Sequence, residues 1–466
     1  MVARRKIVRV GASLAALGAT LAIGLAGNSP ANADPKQVTT ALTGYGSETL
    51  TNLTSAYSGY GLGTYFTPLH VLSTDVQLTS WNALGPSGND NDCFIPKPGA
   101  PSIHRPNGSG EGRGMLSAAF GNPAGALWGH VSTGGSDPTD PCGVKDPTGL
   151  IDFARSSSTA PGALGSNPFV NVPVARDALA FAYYKPTGGA SPVTNLSIAQ
   201  LKSLFDNGPQ MISNGTTNVL VVPCDINTAS GTRGDWSSKI GAIGGSNLTN
   251  ATEACRLADT AGDNALGQIE ENSGDLLTQK GDTIAGTSHE DCDGDPVGGT
   301  TPVSCAGAEV IIGFAASGFI AKGNFQNALN GSALLGTITG GDTPVTGSPG
   351  TYVANPNYYY LGQGAASTQM GRNVAYVVPV STLLNSAPGT NLALKAFFRN
   401  GTGPWDTDGD HQAEICETTG SFNAQSSAQS MGFLPLSATG TNTILCGDLT
   451  QGWPHANLAT TPAVDF

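Results

Sequence analysis

Charge is scarce in this chain of 466 residues. Asp, Glu, Lys and Arg together make up 12% of it, with 21 basic residues against 34 acidic ones. A formal charge of −13 repels nucleic acid and anionic lipid at long range, so no nucleic-acid partner is expected, although a local basic pocket is still allowed. Long apolar runs are also missing beyond the first 33 residues. No later stretch stays apolar for the ~18 residues a membrane span requires, which argues against membrane insertion. The chain has no G-x-S-x-G, H-E-x-x-H, P-loop or C-x-x-C. The sequence signatures of common hydrolases, zinc proteases, nucleotide binders and thiol oxidoreductases are therefore absent. The chain reads as a non-enzyme with no cofactor.

What is present begins with an export signal. "MVARRKIVRV" is basic, "GASLAALGATLAIGLAG" is apolar, and "ANA" before Asp34 is a small-residue cleavage site. Residues 1–33 are read as a signal peptide, and the mature chain as secreted or held at the cell surface. No Cys follows the apolar run to take a lipid. Removing Arg4, Arg5, Lys6 and Arg9 makes the mature chain more acidic still. Eight cysteines remain: Cys93, Cys142, Cys224, Cys255, Cys292, Cys305, Cys416 and Cys446. In an exported chain an even count implies disulfides, here four. Spacing does not fix the connectivity. Sequential pairing is expected because it keeps every loop local.

The remaining length exceeds one core and predicts two or three compact units. Apolar strands alternate with helices. "VPVARDALAFAYY", "NVLVVPC", "VIIGFAAS" and "GRNVAYVVPVS" read as buried strands, and "LALKAFFRNG" as an amphipathic helix. "NLSIAQLKSLFDNG" has Ile198, Leu201, Leu204 and Phe205 at helical spacing, Ser197 at the N-cap and Gly208 as a stop. Such alternation predicts an α/β fold with mainly parallel sheets.

Four turns carry the chemistry: "GYGSETL" (44–50), "RPNGSGEGRGML" (105–116), "DFARSSS" (152–158) and "SGTRGDW" (230–236). Each sets Ser or Thr after a strand or loop, mostly beside Gly. Helix N-termini present free N–H groups and a partial positive charge, and hydroxyls with Gly complete an oxyanion cradle. Any one of these turns is more simply a helix cap. Their conjunction, with Arg113, Arg155 and Arg233 inside three of them, points to anion binding. The candidate ligands are Ser47, Thr49, Ser109, Arg155, Ser156, Ser157, Ser230, Gly231, Thr232 and Arg233.

In order and motif these segments resemble the phosphate-binding proteins of bacterial ABC transporters, in the type II periplasmic-binding-protein superfamily. The resemblance runs from about 40 to about 440, with insertions at the Cys-bearing loops; "NLSIAQLKSLFDNG" and the "SGT" turn are its specific parts. It implies two α/β lobes joined by two crossing segments, with the anion clamped between them. The expected division is 34–177 for the first part of lobe 1, 178–352 for lobe 2 and 353–466 for the rest of lobe 1. Ser230, Gly231 and Thr232 match the family's phosphate turn, Ser47 and Thr49 its first hydroxyl turn, and Ser109 its second. Two positions depart from the pattern. Ser157 stands where the family has an acceptor Asp, and Ile226 where it has a phosphate Arg. Phosphate is the favoured anion, with sulfate-like and organic anions open. An ABC transporter permease is the implied partner and a monomer the implied state. A surface protein that keeps the fold without tight binding, or a phosphoester hydrolase, are the alternatives.

"DTDGDHQAE" places Asp406, Asp408, Asp410 and Glu414 at alternating, calcium-like spacing. Its Gly is misplaced for an EF-hand loop and no helix pair flanks it, so a solvated acidic turn is expected.

Overall fold

The computed structural model describes residues 41–71, 76–82, 93–121, 142, 146–157, 169–226, 230–242, 269–294, 301–360, 370–383, 391–406, 408–418, 423–436, 445–447 and 449. The signal segment 1–33 and Cys255 lie outside them.

Eight strands and eight helices carry the architecture. The strands are β1 (Ala41–Gly46), β2 (Val76–Ser80), β3 (Phe153–Ser156), β4 (Phe169–Tyr184), β5 (Gln210–Ser213), β6 (Asn218–Pro223), β7 (Glu309–Ala315) and β8 (Gly371–Pro379). The helices are α1 (Thr51–Tyr57), α2 (Gly108–Ala119), α3 (Ile198–Asn207), α4 (Gly231–Ile240), α5 (Gly274–Ala285), α6 (Ala316–Phe325), α7 (Leu392–Phe398) and α8 (Ala424–Ser430). The strands join one sheet in the order β5-β6-β7-β4-β8-β3-β1-β2, with three two-residue strands added at its edge and along β4. Parallel pairs, β1 with β2 and β3 in one half and β6 with β7 in the other, anchor the two ends. Between them β4 and β8 run antiparallel.

β4 explains how one sheet serves two hydrophobic cores. Its 16 residues are mostly apolar and buried on both faces apart from the two ends, as expected of a strand covered on both sides, with Asn171, Arg176 and Asp177 the polar exceptions. The first part, through Ala178, pairs with β8, and the part from Leu179 on pairs with β7. The hydrophobic cores change over at the same point. One core gathers Leu179, Phe181, Leu201, Phe205, Trp236, Ile311 and Phe314. The other gathers Leu53, Tyr57, Phe153, Val172, Val174, Tyr376 and Phe398. Leu179 N–H donates to Met370 O at 2.9 Å, so both crossing strands pass between the cores side by side.

Local signals are realised as the chemistry demands. Ser197 and Gln200 form a reciprocal capping box on α3, and Gly208 ends the helix at φ +92°. Leu201, Leu204 and Phe205 lie fully buried under it, each side chain contributing ~1.5–3 kcal/mol by leaving water. Cys93–Cys142, Cys292–Cys305 and Cys416–Cys446 are bonded in the expected sequential order. Cys224 is also disulfide-bonded, and its expected partner Cys255 is not among the described residues. Among the described residues, no helix is long and apolar enough to cross a membrane.

Glu309 opens β7 fully buried, where its carboxylate accepts from Val193 N–H at 2.6 Å. Burial outweighs that bond and the charge of Lys185, pushing the carboxyl up to about 8. In the unfolded chain it ionises near ~4.3. The fold therefore prefers the protonated form, and the stability it confers is lost as pH rises from there to about 8. Glu309→Gln removes this dependence. Its melting temperature relative to the parent should be higher at pH 8 than at pH 5, as followed by circular dichroism.

Candidate functional site

At the junction of the two cores the hydroxyl turns meet. Thr49 leaves the end of β1 and precedes α1; Ser109 lies in the first turn of α2; Ser157 follows β3; Ser230, Gly231 and Thr232 open α4. Ser109 Oγ and Ser157 Oγ are 3.2 Å apart, and Ser157 N–H donates to Ser109 Oγ at 3.1 Å. Thr232 Oγ1 lies 3.2 Å from Thr49 Oγ1 and 3.5 Å from Ser157 Oγ. All are buried. The approach of α4 requires glycine: a Cβ on Gly231 would stand 2.7 Å from Ser109 Oγ and 3.0 Å from Ser157 Oγ.

An anion already belongs to this cluster, and it is the protein's own. The carboxylate of Glu271, fully buried, accepts from Thr49 Oγ1 and Thr232 Oγ1, each at 3.1 Å, and from Ser230 Oγ at 2.9 Å. It sits at the N-terminus of α4, whose N-cap Ser230 also accepts from Thr232 N–H. Exposed amides and hydroxyls there favour negative charge. Ile226, at the position of the expected phosphate Arg, delivers it. Ile226 is buried and bridges Ile269 in parallel, and Ile269 N–H donates to Asp225 O at 3.1 Å. That pairing lays the 269–271 segment beside the end of β6 and sets Glu271 at the helix mouth.

Two further carboxylates crowd in. One oxygen each from Glu48, Glu270 and Glu271 lie within 4.8 Å of one another, all from buried residues. Glu48 accepts from Gly108 N–H at 3.1 Å, and Asn107 Nδ2 donates to Glu270 at 2.9 Å. Burial first, then Glu271 and Glu270, hold the Glu48 carboxyl well above its ordinary range. Lys322, buried nearby, donates to Asn272 O. Burial lowers its ammonium, partly offset by Asp275, Glu270 and Glu271.

The cation closest to the hydroxyls is Arg372, on β8. It is buried and donates to Thr49 Oγ1 at 3.0 Å, while Nε and Nη2 both bond Asp177 Oδ2 at 3.0 and 2.9 Å. Asp235 lies 3.5 Å from its Nη1. Sequence reasoning passed over Arg372, Asp177, Glu48, Glu270 and Glu271. The available signal was charge in an apolar context: "GRNVAYVV" and "VARDALAF" each carry charged residues inside a strand with no water to meet them.

Other expected ligands are placed differently. Arg155 is fully buried and spends its guanidinium on carbonyls. Nε bonds Ser47 O at 3.1 Å, and Nη2 bonds Gly46 O at 2.9 Å and Trp81 O at 3.0 Å, while Nη1 bonds Ser80 Oγ. Arg233 forks onto Asp225, its Nη2 2.7 Å from Oδ2. Neither donates to the clustered hydroxyls. Ser156 Oγ accepts from Arg113 at 3.2 Å. Ser47 Oγ is buried without a partner among the described residues. Arginine in these turns answers backbone carbonyls and a nearby carboxylate, demands that sequence proximity does not reveal.

The acidic turn lies apart. One oxygen each from Asp406, Asp408 and Asp410 fall within 4.8 Å of one another. Burial and neighbouring carboxylates push Glu414 up to about 8 and Glu417 to about 7.

No protein-family model matches this chain and no curated protein does. Solved structures do. The phosphate-binding protein of Stenotrophomonas maltophilia is 12% identical over 85% of this chain and 91% of its own, with a TM-score of 0.39. The ABC-type phosphate transport receptor of Vibrio cholerae is 13% identical over 74% of this chain and 88% of its own, at 0.32. PstS of Borrelia burgdorferi is 11% identical over 84% and 98%, also at 0.32. These are distant likenesses.

Removing the Arg155 side chain takes a donor from three buried carbonyls, of which Ser47 O keeps only a 3.4 Å contact from Thr51 Oγ1, and leaves Glu48 without its nearby cation. Arg155→Ala is expected to destabilise the fold by ~3 kcal/mol or more. Chemical denaturation checks this. A variant as stable as the parent would show that Arg155 is not a structural tie.

Proposed function

We propose that this chain is a two-lobed binding protein, divided near 177 and 352, that takes a small oxyanion, phosphate first, in the hydroxyl cradle. The observation that carries this reading is the meeting of Thr49, Ser109, Ser157, Ser230 and Thr232, from four separate segments, at the mouth of α4. Three of them, Thr49, Ser230 and Thr232, already satisfy one oxyanion, the Glu271 carboxylate, with hydroxyls contributed from both cores. An external oxyanion binds by displacing that side chain. Export to the cell exterior and delivery to an ABC transporter permease are part of the same reading.

The Glu271 carboxylate also favours a second reading. With Ile226 in place of an Arg and a tethered carboxylate in the cradle, the chain would be a surface protein that keeps the fold and has given up tight binding.

Isothermal titration of the mature chain separates the two, using phosphate, then sulfate, on the parent, Thr232→Val and Glu271→Ala. The first reading expects saturable phosphate binding by the parent, weakened ~10-fold or more in Thr232→Val by loss of one charge-assisted hydrogen bond. A silent parent with a binding Glu271→Ala variant establishes the second. Silence from all three folded proteins, toward both anions, removes the anion reading altogether.

A further inference from the structure

Counted from Asp406, the stretch "DTDGDHQAEICE" has carboxylates at positions 1, 3, 5, 9 and 12: Asp406, Asp408, Asp410, Glu414 and Glu417. A twelve-residue calcium loop draws ligands from 1, 3, 5, 9 and 12, with a backbone carbonyl from 7, here that of Gln412. The misplaced glycine is answered by the backbone. His411, at position 6, takes φ +67°, the left-handed turn for which such loops use glycine. Asp406 holds it there, accepting from His411 N–H at 3.3 Å and meeting His411 Nδ1 at 2.6 Å.

The spacing of the oxygens suits one ion. Calcium ligands stand at 2.3–2.6 Å, so oxygens on opposite sides of the ion are about 5 Å apart. Those of Asp406, Asp408 and Asp410 fit within 4.8 Å. The independent observation is Glu417. It is only 6% exposed, and among the described residues no N–H, hydroxyl or cation meets its carboxylate. It is aimed instead at Asp408, within hydrogen-bonding reach of that carboxyl. Two carboxyls within hydrogen-bonding reach of each other must share a proton or a cation, and a bound cation would meet both at once. No Lys or Arg among the described residues pairs with any of the five; the one basic side chain against them is His411, at Asp406, and the other contacts are neutral donors of the loop itself, Gly409 N–H to Asp406, Asp410 N–H to Asp408 and Gln412 N–H and Nε2 to Asp410.

The frame around the loop is rigid. Ala413 N–H donates to Asn400 Oδ1 at 2.8 Å, Gly401 N–H to His411 O at 2.9 Å, and Gln425 N–H to Glu417 O at 3.0 Å. The Cys416–Cys446 disulfide and the buried Ile415 fix its far end. At its near end Trp405 lies under Arg399, 4.2 Å from the ring centroid.

We propose that Asp406, Asp408, Asp410, Glu414 and Glu417, with the Gln412 carbonyl, form a calcium site that pins this loop to the core. Variable oxygen ligation at an open rim suits Ca²⁺ over Mg²⁺, which demands strict octahedral geometry. The site is separate from the hydroxyl cradle and does not depend on what binds there.

The test uses the full mature chain, stripped with chelator, in phosphate-free buffer. Calcium chloride is titrated calorimetrically, and the thermal transition is recorded with and without it. Terbium, a calcium substitute, is added with excitation of tryptophan, since Trp405 adjoins the first ligand. Saturable binding, a raised transition and sensitised terbium emission are expected. Asp408→Asn and Glu417→Gln should each weaken calcium about tenfold or more, because affinity follows ligand charge. Asp408 is exposed, so its variant keeps the test valid if Glu417→Gln folds poorly. A parent chain that shows no heat and no shift overturns the proposal. Calcium binding that Asp408→Asn retains in full places the ion elsewhere and overturns it equally.

Discussion

The structure turns on the need to satisfy one fully buried carboxylate. Glu271 has no water to meet, so its oxygens must be bonded from within the protein. Thr49 reaches it from the segment that opens α1, beside one core. Ser230 and Thr232 reach it from the mouth of α4, beside the other. The same three bonds that settle the charge hold the two halves in register. A glycine at 231 follows from that closeness, since any side chain there would strike Ser109.

A second tie lies where the crossing strands run together. Asp177 on β4 and Arg372 on β8 are both buried and form a doubly bonded pair, and Asp177 also accepts from Ser317 N–H at 3.1 Å. Such a pair is expensive to desolvate and adds little stability by itself; its value is in specifying which partner sits where. Through Thr49, Arg372 joins this pair to the hydroxyl cluster. The cradle and the crossing are thus one network. Motion of one half against the other would have to exchange these bonds. The three described disulfides place no obstacle there: Cys93–Cys142, Cys292–Cys305 and Cys416–Cys446 each close a local loop.

Buried charge of one sign sets the chemical character of the junction. Glu48, Glu270 and Glu271 stand together, and burial with the two neighbouring carboxylates raises the Glu48 carboxyl well above its ordinary range. Lys322 and Arg155 lie close enough to moderate the field, and both spend their hydrogen bonds on backbone or hydroxyl oxygens. Hydroxyls ringed by carboxylates differ from a cradle lined by free guanidinium groups.

Local pattern along the chain identified the main elements and the α/β class; it left the disulfide connectivity open, and the three described bridges follow the sequential order expected. Apolar runs identify β4, β6, β7 and β8, and the spacing of Leu201, Leu204 and Phe205 with Ser197 and Gly208 defines α3 to its caps. These are local properties of the chain, written in periodicity and turn chemistry. It also marked the hydroxyl turns that meet: each alone is more simply a helix cap, and their recurrence in four segments is what singled them out. Tertiary structure decided what those hydroxyls face. Glu271 is 222 residues from Thr49, and it arrives through the bridge between Ile226 and Ile269, which no local pattern announces. It likewise decided that Arg155 and Arg233 answer carbonyls and Asp225, and that Arg372 is the cation beside Thr49. Charge compensation acts through space, across segments far apart in the chain. A linear reading can count charged residues but not pair them.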